Sequence, residues 1–290
     1  MSNPNGMFHS DQSNSVIPPN NNNTIYKVFK FKRDDMPNYT DIDLKIPEES
    51  DNYKEHSELT VNTINDIFQN AIKNGRNKIV INTNLKLGIP MENVNKIAGP
   101  FVEAWAFEIF NDALEDEHEK YKLDSVSPGK RLDLADVIIT LNNNDSLIYG
   151  NVDVKATSKD IANSGKSPNI TSFVKIRSIF LKHPDFMFLV LSIKHRVSSE
   201  RDEETKMMMG IMEIVDFNVY DLKYISDSDI SYNPALGTGQ LQIRDIHNVS
   251  YHERTANDLC QLLDKKCIAS QKGFDVWFGY AKKNEWLISE

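Results

Sequence analysis

No stretch of this 290-residue chain approaches the roughly 18 apolar residues that a membrane-spanning helix requires. The longest apolar run, Phe186 to Ile193, is interrupted by Ser192 and has the length of a buried strand. The amino terminus, MSNPNGMFHSDQSNSVIPPNNNNT, lacks the basic start and apolar stretch of a secretory signal, so a cytoplasmic protein with no membrane association is expected. Cysteine is scarce: Cys260 and Cys267 alone make neither a disulfide framework nor a zinc site, and both are expected as free thiols. No P-loop or dinucleotide glycine fingerprint occurs, which argues against a nucleotide cofactor or an ATP motor. G-x-S-x-G is also missing, and His247 and His252 lack the Glu spacing of the zinc-protease helix HExxH, so serine-hydrolase and zinc-protease chemistry have no support.

What is present is ordinary for a folded globular protein, with 40% apolar and 26% charged residues. The net charge of −9 runs against a nucleic-acid partner, because phosphate contacts need Lys and Arg. The charge is uneven, however: Asp153 to Arg196 holds eight basic and three acidic side chains, a net +5. Two readings of that basic centre stand, a phosphate-binding surface and a solvated face.

Residues 1–24 contain seven Asn, four Ser and three Pro with few apolar anchors, and are expected as a flexible arm ahead of a single domain over 25–290. Apolar positions from Leu59 to Ile72 recur at helical spacing, with Ser57 as the N-cap and Gly75 as the stop. A second helix is expected from about Glu92 through Phe110, bent or begun by Pro100. Two strands, LDLADVIITL and SLIYGNVDVKA, are joined by a hairpin loop of Asn142, Asn143, Asn144 and Asp145. A helix is expected over 170–182, then an apolar strand at 186–193 that belongs in the middle of a sheet covered on both faces. Strands at 210–216, 219–224 and 240–246 and a helix at 255–268 complete an α/β fold, a central mixed β-sheet flanked by helices.

Strand alternation places Asp136, Ile138 and Thr140 on one face and Val137, Ile139 and Leu141 on the other. In the next strand Asp153 and Lys155 share a face while Val152 and Val154 point into the core. Adjacent strands can thus bring two carboxylates and an ammonium together. Magnesium takes hard oxygen ligands and usually one or two protein carboxylates, which Asp136 and Asp153 could supply. Such a metal lowers the pKa of an attacking water and neutralises charge developing on a phosphate. Lys155 is placed to hold or polarise that water.

The motif Ala135-Asp136, sixteen intervening residues, then Asp153-Val154-Lys155, resembles the PD-(D/E)xK nuclease superfamily, with Ala135 where the family name has Pro. The resemblance implies a restriction endonuclease-like fold, metal binding by Asp136, Asp153 and the Val154 backbone carbonyl, and assistance to the nucleophile by Lys155. Members also carry a Glu on the helix before the catalytic hairpin, and the stretch Ile97 to Glu103 is similar to such a helix. Glu103 lies on the same helical arc as Phe107, Phe110 and Leu114, an unusual place for a carboxylate. It is either a fourth metal-site and catalytic residue or a boundary residue paired with a lysine.

The segment Gly237 to Asp245 is similar to downstream recognition segments of restriction endonucleases: Gln240, Gln242 and Arg244 can make bidentate contacts to bases, although an exposed edge strand has the same pattern. Lys159, Asn169, Thr171, Lys175 and Arg177 follow the catalytic strand and are candidates for phosphate contact, equally compatible with plain surface. The acidic run Glu115 to Glu119 reads as a solvated helix end, since consecutive charges cannot share one helical face. Together these readings lead to a Mg2+-dependent type II restriction enzyme of a restriction-modification system, acting on double-stranded DNA as a homodimer. The alternatives are another nuclease of the superfamily, serving repair, recombination or a phage, and a non-catalytic DNA-binding module.

Overall fold

A computed structural model describes residues 38–130, 134–143 and 146–288. The expected arm at 1–24, and Asn144 and Asp145 of the expected hairpin loop, lie outside these residues. After a single 3-10 turn at Tyr39–Asp41, the chain forms α1 (Tyr53–Lys73), whose amphipathic stripe buries Ile64, Ile67 and Phe68. It begins four residues before Ser57, which does not cap the helix: its hydroxyl donates instead to the buried Asp221 at 2.8 Å. Gly75 ends the helix at φ +77°, a conformation available to glycine at little cost, with its N–H on the Ile72 carbonyl at 3.0 Å.

Strand β1 (Lys78–Ile81) had no signal in the sequence reading. The single helix expected from Glu92 is two, α2 (Met91–Lys96) and α3 (Ala98–Tyr121), separated at Ile97. Pro100 falls in the first turn of α3, where backbone N–H groups lack intrahelical partners and a missing one costs nothing. The acidic run lies in its last turns, where Glu117 leaves helical geometry and pairs with Lys120.

Then come β2 (Leu123–Pro128), β3 (Val137–Asn143), β4 (Ser146–Ser158) and β5 (Asn169–Ser172), followed by α4 (Phe173–Lys182). The helix expected from 170 starts three residues later because Ser172 caps it, accepting from the Lys175 amide. Strands β6 (Met187–Arg201) and β7 (Met208–Asp221) are long partners. The strands expected at 210–216 and 219–224 run together as β7 as far as Asp221, with Phe217 and Asn218 paired in register between them; Leu222–Tyr224, expected as strand, is instead a 3-10 turn. A bulge interrupts β7 earlier, where Lys194 pairs with Asp216 and His195 with Ile214, leaving Val215 over. The short β8 (Ile230–Asn233) and β9 (Gln240–Ile243) precede α5 (Ala256–Ile268) and α6 (Gly273–Lys283). Helix α5 opens on a capping box between Thr255 and Asp258.

Six strands form the central mixed sheet in the order β1-β7-β6-β4-β3-β2, all antiparallel except the β4/β6 pair. The segment β5-α4 makes the crossover that a parallel pair requires. Strand β6 divides its side chains between two cores: Met187, Leu189, Leu191 and Ile193 pack with α1 and α3, while Phe188 and Val190 pack with α4, α5 and α6. Burying a side chain of this kind contributes about 1.5–3 kcal/mol, so β6 anchors both layers. A second sheet, β5-β9-β8, belongs to the latter layer. Cys260 and Cys267 are buried free thiols in the same core. Among the described residues no helix is long and apolar enough to cross a membrane.

Candidate active site

The pairing of β3 with β4 assembles the site. Val137 faces Val152 in the antiparallel register, and both are buried with Val154 in the core beneath α1 and α3. Strict alternation then sends Asp153 and Lys155 to the opposite face. Asp136, the residue before β3, clamps the junction: its N–H donates to the Val152 carbonyl at 2.9 Å, and its Oδ2 accepts the Val154 amide at 2.8 Å. Gly129 at the end of β2 bonds the Asp136 carbonyl through its N–H at 2.8 Å, and a Cβ there would collide with the Ala135 carbonyl oxygen. A glycine is therefore needed where the chain leaving β2 passes the Ala135–Asp136 backbone.

Asp153 is 5% exposed, and Lys155 Nζ donates to its Oδ1 at 2.6 Å. Its Oδ2 is buried without a partner. Burial pushes the Asp153 carboxyl up to about 7, with Asp136 and Glu103 adding to the rise and Lys155 opposing it. Glu103, half-buried on α3, is raised by its own burial and by the Asp136 charge, and lowered by Lys155. Three carboxyls therefore act on one another electrostatically, with the Lys155 ammonium opposing the rise at Asp153 and Glu103.

A cleft of about 720 Å³ opens over the carboxyls, lined by Glu103, Asp136 and Asp153 together with Thr171, Lys175 and Gln240; Val154 and Lys155 lie outside the lining, Lys155 being tied to it through Asp153. Strand β4, the helix α3 and the small second sheet thus meet at one place. Pro128, Gly129 and Lys130 also line it, and the sequence reading did not single them out; the Gly-Lys-Arg step at 129–131 was the available signal. Lys159, Asn169, Gln242 and Arg244 lie outside that lining. Lys159, Asn169 and Arg244 are exposed, and the Gln242 side-chain amide donates to Asn169 Oδ1 at 3.0 Å.

One candidate fails. Arg177 is 2% exposed, its Nε bonded to both oxygens of Asp264 at 3.2 Å, so it cannot reach a phosphate. It sits on the inner face of α4, whereas Lys175 two residues earlier is on the outer face. Internal pairing also reduces the basic centre, since Lys155, Lys166, Arg177 and Arg196 are each ion-paired to an Asp or Glu.

Among the described residues no three His, Cys, Asp or Glu side chains stand close enough to enclose a cation by themselves. Magnesium does not need such a cage, because it commonly takes one or two carboxylates and completes its octahedron with water and phosphate oxygens. The unpartnered Asp153 Oδ2 and the Asp136 carboxylate, whose Oδ2 accepts the Val154 amide, suit that mode of binding.

Compared with known proteins, residues 40–285 match the family described as type II restriction endonuclease HpaI. The chain is 52% identical over 250 residues to the type II restriction enzyme HpaI of Haemophilus parainfluenzae, an alignment spanning 86% of this chain and 98% of that protein.

Proposed function

The chain belongs to the HpaI family of type II restriction endonucleases, and on that premise we propose that it cuts double-stranded DNA with Mg2+ held by the Asp136 and Asp153 carboxylates and the Val154 carbonyl, with Glu103 reaching the ion through a water rather than as a third carboxylate ligand. It is a site-specific deoxyribonuclease. The observation that carries the site assignment is the buried, unpartnered Oδ2 of Asp153, a residue that holds Lys155 on its other oxygen and lines a cleft together with Asp136 and Glu103. A divalent ion bound there supplies a low-pKa water and offsets charge on the scissile phosphate.

The protein's own groups do the positioning. Asp136 pins the Val154 peptide, and Asp153 orients the Lys155 ammonium towards the place where an attacking water is held. Glu103 approaches from the helix side, so the phosphate is met by groups from two layers. Lys159, Asn169, Thr171 and Lys175 serve the DNA backbone, while Gln240, Gln242 and Arg244 serve base edges, since strand β9 runs beside the cleft. The enzyme works in the cytoplasm as a homodimer, whose two-fold axis mirrors that of a palindromic site.

Plasmid cleavage tests this reading. Purified protein with Mg2+ should yield discrete fragments sharing one end sequence, and none in EDTA. Cutting that ignores the chelator, or random ends, would overturn it.

A further inference from the structure

His247 lies outside the cleft lining, yet the turn carrying it rests on the strands behind the site. The strand register creates two rows across β4, β6 and β7: Asp153, Val190 and Tyr220 in one, Lys155, Ser192 and Asn218 in the next. Residues paired in this way share a face of the sheet. The turn engages both rows. Tyr220 Oη donates to the Ile246 carbonyl at 2.8 Å, and Asn218 Nδ2 donates to the His247 carbonyl at 2.9 Å. The His247 ring bridges from the second row to the one beyond it, with Nδ1 at 3.3 Å from Ser192 Oγ and Nε2 at 2.9 Å from Oδ2 of Asp216, the partner of Lys194. The carboxylate can only accept, so Nε2 carries a proton, and in the neutral ring Nδ1 then accepts from the Ser192 hydroxyl.

Ser, His and Asp in a chain suggest nucleophilic catalysis, but Ser192 is 0% exposed and no substrate can reach it. The ring nitrogens are also reversed relative to an acyl-transfer triad, in which Nε2 faces the serine. The turn instead joins two segments that the reaction needs. Behind it, Lys166 Nζ meets Asp245 Oδ2 at 2.6 Å, the Ile246 amide donates to the Gly165 carbonyl at 3.0 Å, and the Ser167 amide to the Arg244 carbonyl at 3.1 Å. Gly165 to Ser167 belong to the loop that continues β4, and Arg244 directly follows β9. A Cβ on Gly165 would press on Thr157 and Ile246, so the loop is seated tightly.

We propose that His247 is a positioning residue: through the buried Ser192 hydroxyl it holds the row that carries Lys155, and through the Asp245–His247 turn it couples that row to β9. Docking of the correct bases on β9 and placement of the Lys155 ammonium then depend on one another. The inference rests on the assignment of Lys155 and β9 given under the proposed function.

The test measures three quantities on His247→Ala: the cleavage rate at saturating DNA, binding with Ca2+ in place of Mg2+, and the rate ratio between the preferred site and one with a single base pair changed. The expected result is a loss of about tenfold or more in the saturating rate, affinity within about twofold, and a reduced rate ratio. A merely structural residue would lower the melting temperature without that pattern. His247→Asn places a polar group near the Nδ1 position and should restore much of the rate; His247→Gln reaches only the Asp216 side and should not. Ser192→Ala, which removes one buried oxygen, should reproduce the loss and decides the matter if the His247→Ala protein does not fold. The inference is overturned if His247→Ala or Ser192→Ala keeps the wild-type rate and ratio, or if Gln rescues as well as Asn. Asp153→Ala serves as the control: if it still cuts, the site assignment itself fails, whereas an inactive Asp153→Ala beside a normal His247→Ala rejects this inference alone.

Discussion

Three aspartates are buried among the described residues, and they differ in what surrounds them. Asp264, in the core under α4, α5 and α6, receives Arg177 Nε on both oxygens at 3.2 Å and the Tyr39 hydroxyl at 3.1 Å. Asp221 takes Tyr53 and Ser57 hydroxyls at 2.7 and 2.8 Å on one oxygen and the Lys223 amide at 2.8 Å on the other. Asp153 has Lys155 on one oxygen and no partner on the other. Burying a carboxylate costs several kcal/mol unless its oxygens are matched by donors. Where the carboxylate serves the fold, donors reach both oxygens. Where they are withheld from one oxygen beside a cleft, the missing partner is to come from outside, and the group is a candidate for chemistry.

The strongest way to break this distinction is to replace the charges by amides. Asp153→Asn should lose about 10⁴-fold of Mg2+-dependent cleavage, roughly 5 kcal/mol of barrier, with no loss of stability in metal-free protein. Activity within tenfold of wild type, or marked destabilisation, would place Asp153 with the structural pair. Asp264→Asn should do the reverse, costing about 3–5 kcal/mol of unfolding free energy because Arg177 is left buried and uncompensated. Urea denaturation measures this, and a change below about 1 kcal/mol would show the pair to be dispensable.

The same contrast extends to pH. Burial holds Asp153 up to about 7 against an ordinary value of 3.8, so its protonated form favours the folded chain. Its stabilising contribution is full below the ordinary value and is lost as pH rises through about 7. In EDTA, wild type should therefore lose stability relative to Asp153→Asn between about pH 4 and about pH 7, with no further divergence above that. Parallel curves for the two proteins would contradict this. Smaller effects sharpen the comparison. Glu103→Gln should slow cleavage by at least about tenfold, or 1.4 kcal/mol, with little change in melting temperature. Lys175→Ala should lower the log–log salt slope of DNA binding by about 0.9, whereas Arg177→Met should leave the slope alone and destabilise the fold. Equal slopes for Lys175→Ala and wild type would remove Lys175 from the phosphate path.

Much of the site was legible because it depends on short-range periodicity. Val137, Ile139 and Leu141, alternating with Asp136, Ile138 and Thr140, declare a strand with one buried face, and Asp153-Val154-Lys155 does the same next door. The parting of Glu103 from its polar neighbours on α3 was visible for the same reason. Arg177 was misread because an arginine in a basic segment looks the same whether its partner is a phosphate or an aspartate 87 residues away. Ser57 was misread as a cap because the acceptor that claims its hydroxyl, Asp221, lies on a distant strand. Strands β1, β2 and β8 are short and only partly buried, which leaves them no clear alternation.

The sequence alone determined the pairing of Asp153 with Lys155 on one strand face, the strand alternation of β3 and β4, the apolar character of β6 and the helix of α5, since each follows from residue types within one or two turns or pleats. Only the tertiary structure decided which polar groups are matched and which are left open. The parallel docking of β6 on β4 sets Ser192 beside Lys155, and the second sheet brings Gln240 and Thr171 to the cleft. Those contacts join residues dozens of positions apart, and their worth depends on shared burial, a property that no local window of sequence contains.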